Sequence, residues 1–242
     1  MTQSTLQQAL PGPVSVPPGA PLVVLAFLGT GAFVLIALAA AALCLALKRR
    51  RAALAAGGAG AAAILLYVGL LVALSVTSRD RVLAPGGRKY FCEIDCHLAY
   101  SVAGVQRLQS VGVPPAAVGA QGRFVAVRVR TWFDPATIAS FRGDSPLTPN
   151  PREAWLADGR GRRFAASPAA TRAYEEARGS GSFSLFTRAL PPGASYETAL
   201  VFDVPADATA LRLFVGDPPG VETTLLGHEN SPGHGRTYFA LD

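Results

Sequence analysis

Two long apolar runs open the chain. Residues 22–47 carry no charged side chain, and neither do residues 52–78; between them stands Lys48-Arg49-Arg50-Arg51. A bilayer core takes about 20 apolar residues as helix. The pattern therefore predicts two transmembrane spans, 22–47 and about 55–77, turning at 48–51. The preceding residues 1–21 are Pro-rich and contain no Lys or Arg. They are expected to be a flexible tail. A secretory signal would have a basic start and an apolar stretch of only about 7–15 residues.

From about Lys89 the period changes. In RFVAVRVRTWF, Val125, Val127 and Val129 alternate with Ala126, Arg128 and Arg130, the period of a half-buried strand. The run beginning KYFCEIDCHLAYSVAGV is the first expected strand. AWLADGRGRRFAA predicts a hairpin around Asp158-Gly159-Arg160-Gly161. SPAATRAYEEAR predicts a short helix with Ser167 as cap and Pro168 at its first position. Strands are expected again at SFSLFTRAL, SYETALVFDV, ALRLFVG, VETTLLG and RTYFAL. Eight or so short strands and one helix, at this spacing, describe a sandwich or barrel over residues 89–242.

The formal charge of +6 suggests a nucleic-acid binder until it is located. Four of the 22 basic residues are the turn at 48–51, and all 16 acidic residues lie from Asp80 onward. The large C-terminal part is nearly neutral, so electrostatic capture of a nucleic acid is not expected. The basic turn instead sets orientation. The positive-inside rule places 48–51 in the cytoplasm, with the N-terminal tail and the C-terminal domain outside. Arg79, Arg81, Arg88 and Lys89, close to the other membrane end, point the opposite way. Apart from Cys44 and Tyr67, the spans hold no ionisable residue. A proton or ion pathway is not expected, and the hairpin reads as an anchor. Gly57, Gly58, Gly60 and Ala61–Ala63 offer a small face for packing against the first span.

The chemistry concentrates in YFCEIDCH, residues 90–97, which holds two of the three cysteines and one of the three histidines. Three readings stand open. An outside location favours a Cys92–Cys96 disulfide. In a continuous strand, however, residues four apart lie about 13 Å apart, whereas a disulfide needs Cα atoms within about 7 Å, so a bridge demands a turn at Glu93-Ile94-Asp95. A metal site is the second reading: thiolate and imidazole suit copper or zinc, and Cys92, Cys96, His97 and His234 are the candidate ligands. Two packed thiols are the third. No phosphate loop or nucleophile–base pattern stands out, so a binding role is read ahead of an enzymatic one. Trp132 and Trp155 are expected to pack on the sheets, and Arg160, Arg162 and Arg163 to be solvated.

Residues 190–216, LPPGASYETALVFDVPADATALRLFVG, resemble the bacterial telokin-like, immunoglobulin-type extracytoplasmic domains in their proline-glycine turn, the strand ending VFDVP, the acidic-and-alanine turn and the following strand of alternating Leu. The resemblance covers roughly residues 89–242, without the two spans, and implies an all-β immunoglobulin-like sandwich facing the extracytoplasmic side. With the spans read from the apolar runs, the expected fold is an N-terminal two-helix transmembrane hairpin plus an all-β immunoglobulin-like sandwich, held at a bacterial inner membrane. The C-x-x-x-C spacing behind a two-helix hairpin also resembles the copper loop of the cupredoxin-type oxidase subunit. There, a His follows the second Cys by four residues and a Met ligand is present; here Tyr100 holds that position and the only Met is Met1. The oxidase function is not assigned. The expectation is a membrane-anchored binding module with a copper-type, or zinc, site. The alternative is a structural or interaction domain with an envelope protein partner, no metal, and a disulfide or inert thiols.

Overall fold

The computed structural model of the chain describes residues 20–92, 96–138, 141–179 and 186–241. It divides into two compact units. Among the described residues, one comprises 80–218 with 236–241; the other comprises 20–79 with 219–235.

The second unit contains helices α1 (Ala20–Ala46) and α2 (Arg50–Thr77). Both are long and apolar enough to cross a membrane. Large apolar side chains point outward all along them, among them Leu35, Ile36, Leu54 and Leu65. Burial is confined to small residues, Ala37 on α1 with Ala53, Gly60 and Ser75 on α2. A Cβ on Gly60 would stand 3.3 Å from that of Ala37. The small face thus lets the two helices approach, as the composition of the second run leads one to expect.

The first unit is a two-sheet sandwich with nine strands among the described residues. These are β1 (Arg81–Leu83), β2 (Lys89–Phe91), β3 (Leu98–Val111), β4 (Val118–Phe133), β5 (Glu153–Ala157), β6 (Arg163–Ala165), β7 (Ser195–Val204), β8 (Arg212–Gly216) and β9 (Thr237–Ala240). One sheet has the order β1-β9-β8-β5-β6, the other β2-β3-β4-β7. All neighbours are antiparallel except β1 and β9, which run parallel with Arg81 opposite Thr237.

Alternation along each strand fills the space between the sheets. Val125, Val127 and Val129 of β4 face Leu213 and Val215 of β8, with Leu211 and Phe239 in the same cluster. The outward residues of β4 meet helix α3 (Pro168–Ala177), which covers Phe124, Ala126, Ala199 and Val201 through Ala170 and Tyr174. Ser167 caps α3 by accepting a hydrogen bond from Ala170 N at 3.3 Å.

Several expected elements come out differently. The run at 89–105 is two antiparallel strands, β2 and β3, with a reversal between them. VETTLLG is not a strand: Val221–Thr224 form one 3-10 turn. Preceded by Pro218-Pro219-Gly220, the segment bonds locally instead: Thr223 N donates to Gly220 O and Leu225 N to Glu222 O. In SFSLFTRAL, residues 182–185 lie outside the described residues; Leu190 makes only an isolated bridge to Leu147. Strand β1, with three residues, gave no pattern long enough to read.

Candidate functional site

The reversal between β2 and β3 carries YFCEIDCH. The last strand pair is Phe91 with Leu98, and the next residues inward from each strand, Cys92 and His97, begin the turn. Cys92 and Cys96 are joined as a disulfide, with Cα atoms 3.9 Å apart. The distance objection held only for a continuous strand; because the chain turns back here, the two thiols meet.

His97, next to the bridge, is fully buried. Its ring stacks on Phe133 with centroids 4.3 Å apart, and its carbonyl accepts from Asp134 N at 2.8 Å. Burial, with the Arg142 charge adding to it, lowers the imidazole pKa to about 4. His97 is therefore neutral at pH 7. Asp134 is buried beside it; one carboxylate oxygen accepts from Ala136 N and the other from Tyr90 Oη at 2.8 Å. Burial first, then the hydrogen bond to Asp134, raises the Tyr90 pKa to about 12. At neutral pH the His97 imidazole and the Tyr90 phenol at the hairpin base are therefore both uncharged.

His234, the fourth candidate ligand, belongs to the other compact unit, where its Nδ1 lies 2.8 Å from the Gly235 carbonyl. Among the described residues, no three or more His, Cys, Asp or Glu side chains gather as a group able to hold a metal ion. Of the four proposed ligands, then, the structure joins Cys92 to Cys96 directly and places His97 immediately after them.

A surface feature lies on the other face of β4. Helix α3 covers only part of the four-stranded sheet, and the remainder forms an open cleft of about 400 Å³ lined by Arg88, Ser101, Arg130, Trp132 and Ser195, among others. The Arg88 guanidinium lies 4.1 Å from the centroid of the Trp132 ring. Arg128 and Arg130 both pair with Glu197, at 2.9 and 3.0 Å. The register explains the grouping: Trp132 stands opposite Ala99 and Ser195, and Arg130 opposite Ser101 and Glu197. Their even numbering on β4 was the only sign of this face in the sequence.

The outer face of the five-stranded sheet carries Trp155, Phe214 and Tyr238 packed together. Arg163 lies 4.3 Å from the Trp155 ring centroid and Arg212 lies 4.0 Å from that of Tyr238. Trp155 is only 9% exposed, so these arginines stack on the aromatic group. The arginine turn is not simply solvated either. Arg162 Nε donates to Asp158 at 2.7 Å, and Arg160 and Arg162 both pair with Asp207.

No family model matches the sequence, and no curated protein matches it. Among solved structures, the chain is similar to a conserved hypothetical protein of Bacillus anthracis, at 15% identity, covering 52% of this chain and 89% of that one, with a TM-score of 0.40. A secreted protein of Mycobacterium tuberculosis is similar at 10% identity, covering 59% and 100%, with a TM-score of 0.37. An uncharacterized β-sandwich protein of Clostridium difficile is similar at 7% identity, covering 68% and 96%, also with a TM-score of 0.37.

Proposed function

We propose that the chain is a membrane-anchored, extracytoplasmic interaction module of telokin-like type, with helices α1 and α2 as its anchor in a bacterial inner membrane and the sandwich as its working part. The observation that carries this reading is the Cys92–Cys96 disulfide at the turn between β2 and β3. Disulfides persist in oxidising compartments, and the basic turn at 48–51 then belongs on the opposite, cytoplasmic side. The surface offered to an envelope protein partner is the uncovered half of the four-stranded sheet. There, Trp132 and Arg88 supply a stacked, amphipathic contact of the kind that anchors interfaces. A photo-crosslinking residue at Ser101, on the full chain in native membranes, tests both parts. The expected result is a discrete adduct with one other protein, abolished by Trp132→Ala. Absence of any protein adduct removes the interaction reading.

The metal reading has one observation in its favour: His97 is neutral, the ligand-competent form, directly beside the cysteine pair. Copper or zinc held by Cys92, Cys96 and His97 requires the disulfide to be reduced. Metal content of the full chain, purified with and without reductant, tests it. Near-stoichiometric metal only after reduction, lost in Cys92→Ser/Cys96→Ser, supports a metal module. Metal below one-tenth of the protein in both preparations ends that reading.

A further inference from the structure

The segment Pro219–Gly235 belongs to the same compact unit as the helical hairpin. Two hydrogen bonds fix its course. Gly235 N donates to Ser78 Oγ at 2.7 Å, at the end of α2. Tyr67 Oη donates to the Thr224 carbonyl at 2.8 Å. Tyr67 lies ten residues before Thr77, about 15 Å back along the helix axis. The segment therefore runs down the side of α2 for nearly three turns before returning.

That depth can be set against a bilayer. From Arg51, the last residue of the basic turn, to Tyr67 is about 24 Å of helix. A hydrocarbon core is about 30 Å thick. With the basic turn at one headgroup boundary, Tyr67 and the Thr224 carbonyl fall just inside the opposite one. Phe27 of α1 stands at the same level, its ring 6.3 Å from that of Tyr67, as aromatic side chains do at membrane interfaces.

The segment is built for that location. Val221 is 58% exposed, and Leu225 and Leu226 are partly exposed. Five backbone carbonyls of the segment, those of Gly220, Val221, Glu222, Thr224 and Leu225, accept hydrogen bonds from the protein. Thr223 N and Oγ1 donate to Gly220 O, Thr224 Oγ1 to Val221 O, Leu225 N to Glu222 O, and His228 N and Ser231 Oγ to Leu225 O. Chain in contact with lipid must satisfy its polar groups internally. Glu222, the only acidic or basic residue of 219–228 apart from His228, folds back over Gly220, where an added Cβ would meet its carboxylate. One acid at this point keeps the turn at the headgroup–acyl boundary, not deeper.

We propose that residues 220–227 are a membrane-contacting wedge whose occupant is the lipid of the leaflet opposite the basic turn, with Val221, Leu225 and Leu226 entering the headgroup–acyl boundary. The proposal rests on the anchor reading of α1 and α2. The test uses the full chain in phosphatidylglycerol/phosphatidylcholine nanodiscs, in a Cys44→Ala background that leaves Cys92 and Cys96 disulfide-bonded. Single spin labels replace Val221, Leu225, Leu65 on the outward face of α2, or Ser145 on an exposed loop. Collision with oxygen is compared with collision with a water-soluble nickel chelate. Labels at 221 and 225 are expected to be shielded from nickel at least fivefold relative to 145, approaching the label at 65. Nickel access at 221 and 225 equal to that at 145, with 65 shielded, overturns the wedge and leaves the anchor standing. Nickel access at 65 as well overturns the anchor itself, and the wedge with it.

Discussion

Lys89 Nζ, fully buried on β2 of the four-stranded sheet, donates at 2.7 Å to the carbonyl of Val215 on β8 of the five-stranded sheet. The ammonium also stands 5.1 Å from the ring centroid of Phe91 and 4.7 Å from that of Phe214. A single cation thus ties the two layers where aromatic faces flank it. Lys89→Met keeps the length and the apolar stem but leaves a buried carbonyl without this donor. A loss of about 1–3 kcal/mol is expected, read as a lower urea midpoint with an unchanged slope. An unchanged midpoint would mean that this tie contributes nothing.

The disulfide closes a very short loop. Loop-closure entropy for a ring of about five residues stabilises by about 2 kcal/mol. Cys92→Ala/Cys96→Ala should therefore lower stability by roughly that amount and leave the fold intact. Circular dichroism, together with denaturation of the oxidised, reduced and double-mutant forms, checks it. Reduced wild type and the double mutant should coincide; a large gap between them would show that the thiols do something besides forming the bridge.

The buried His97 makes stability depend on pH. An unfolded histidine titrates near 6.5, whereas folded His97 does so near 4. Between those values the unfolded chain binds up to about one proton more, so stability rises with pH across the window. The contribution is complete above about pH 6.5 and lost as pH falls toward 4. His97→Phe preserves the stack on Phe133 and should flatten this part of the profile. Urea midpoints at pH 7, 5.5 and 4.5 for both proteins decide it; parallel profiles would sink the assignment.

Ser167→Ala removes the side-chain acceptor for Ala170 N at the start of α3. The expected cost is about 1 kcal/mol. Ser167→Asp, which keeps an acceptor, should restore most of it. Hydrogen exchange at Ala170 and Thr171 gives the local readout, and equal protection in all three proteins would refute the cap.

Much of this architecture was legible because it rests on local signals. Ser167-Pro168 marks the start of α3, and Asp158-Gly159-Arg160-Gly161 marks the β5–β6 hairpin, with Gly161 at φ +79°. Apolar runs give the two helices, and alternation gives β4 and the inward side of β8. What stayed hidden depends on distant partners. Lys89 reads as one of several basic residues near a membrane end, and only the packing of two sheets shows it as an interior tie. The Cys92–Cys96 bridge stood as one of three open readings, because it needs a chain reversal that no strong turn-forming residue marks in the sequence. VETTLLG has strand-forming residues, yet Val221–Thr224 close a 3-10 turn through local hydrogen bonds. Trp132, Arg130 and Arg88 acquire a shared face only through register with β3 and β7.

The parallel pairing of β1 with β9 has a consequence for biogenesis. Asp80 receives its hydrogen bond from Arg236, 156 residues away in sequence, and β9 lies between β1 and β8. During synthesis, β1 emerges directly behind the hairpin yet has no neighbour until Thr237–Ala240 are made. The ribosome must therefore deliver nearly all of this sequence before the five-stranded sheet can close. Translation stopped short of β9 would leave β8 with an open edge and β1 with no neighbour. Such a nascent chain would be a substrate for chaperones or proteases, and loss of these few residues should act as a quality-control signal on the whole domain.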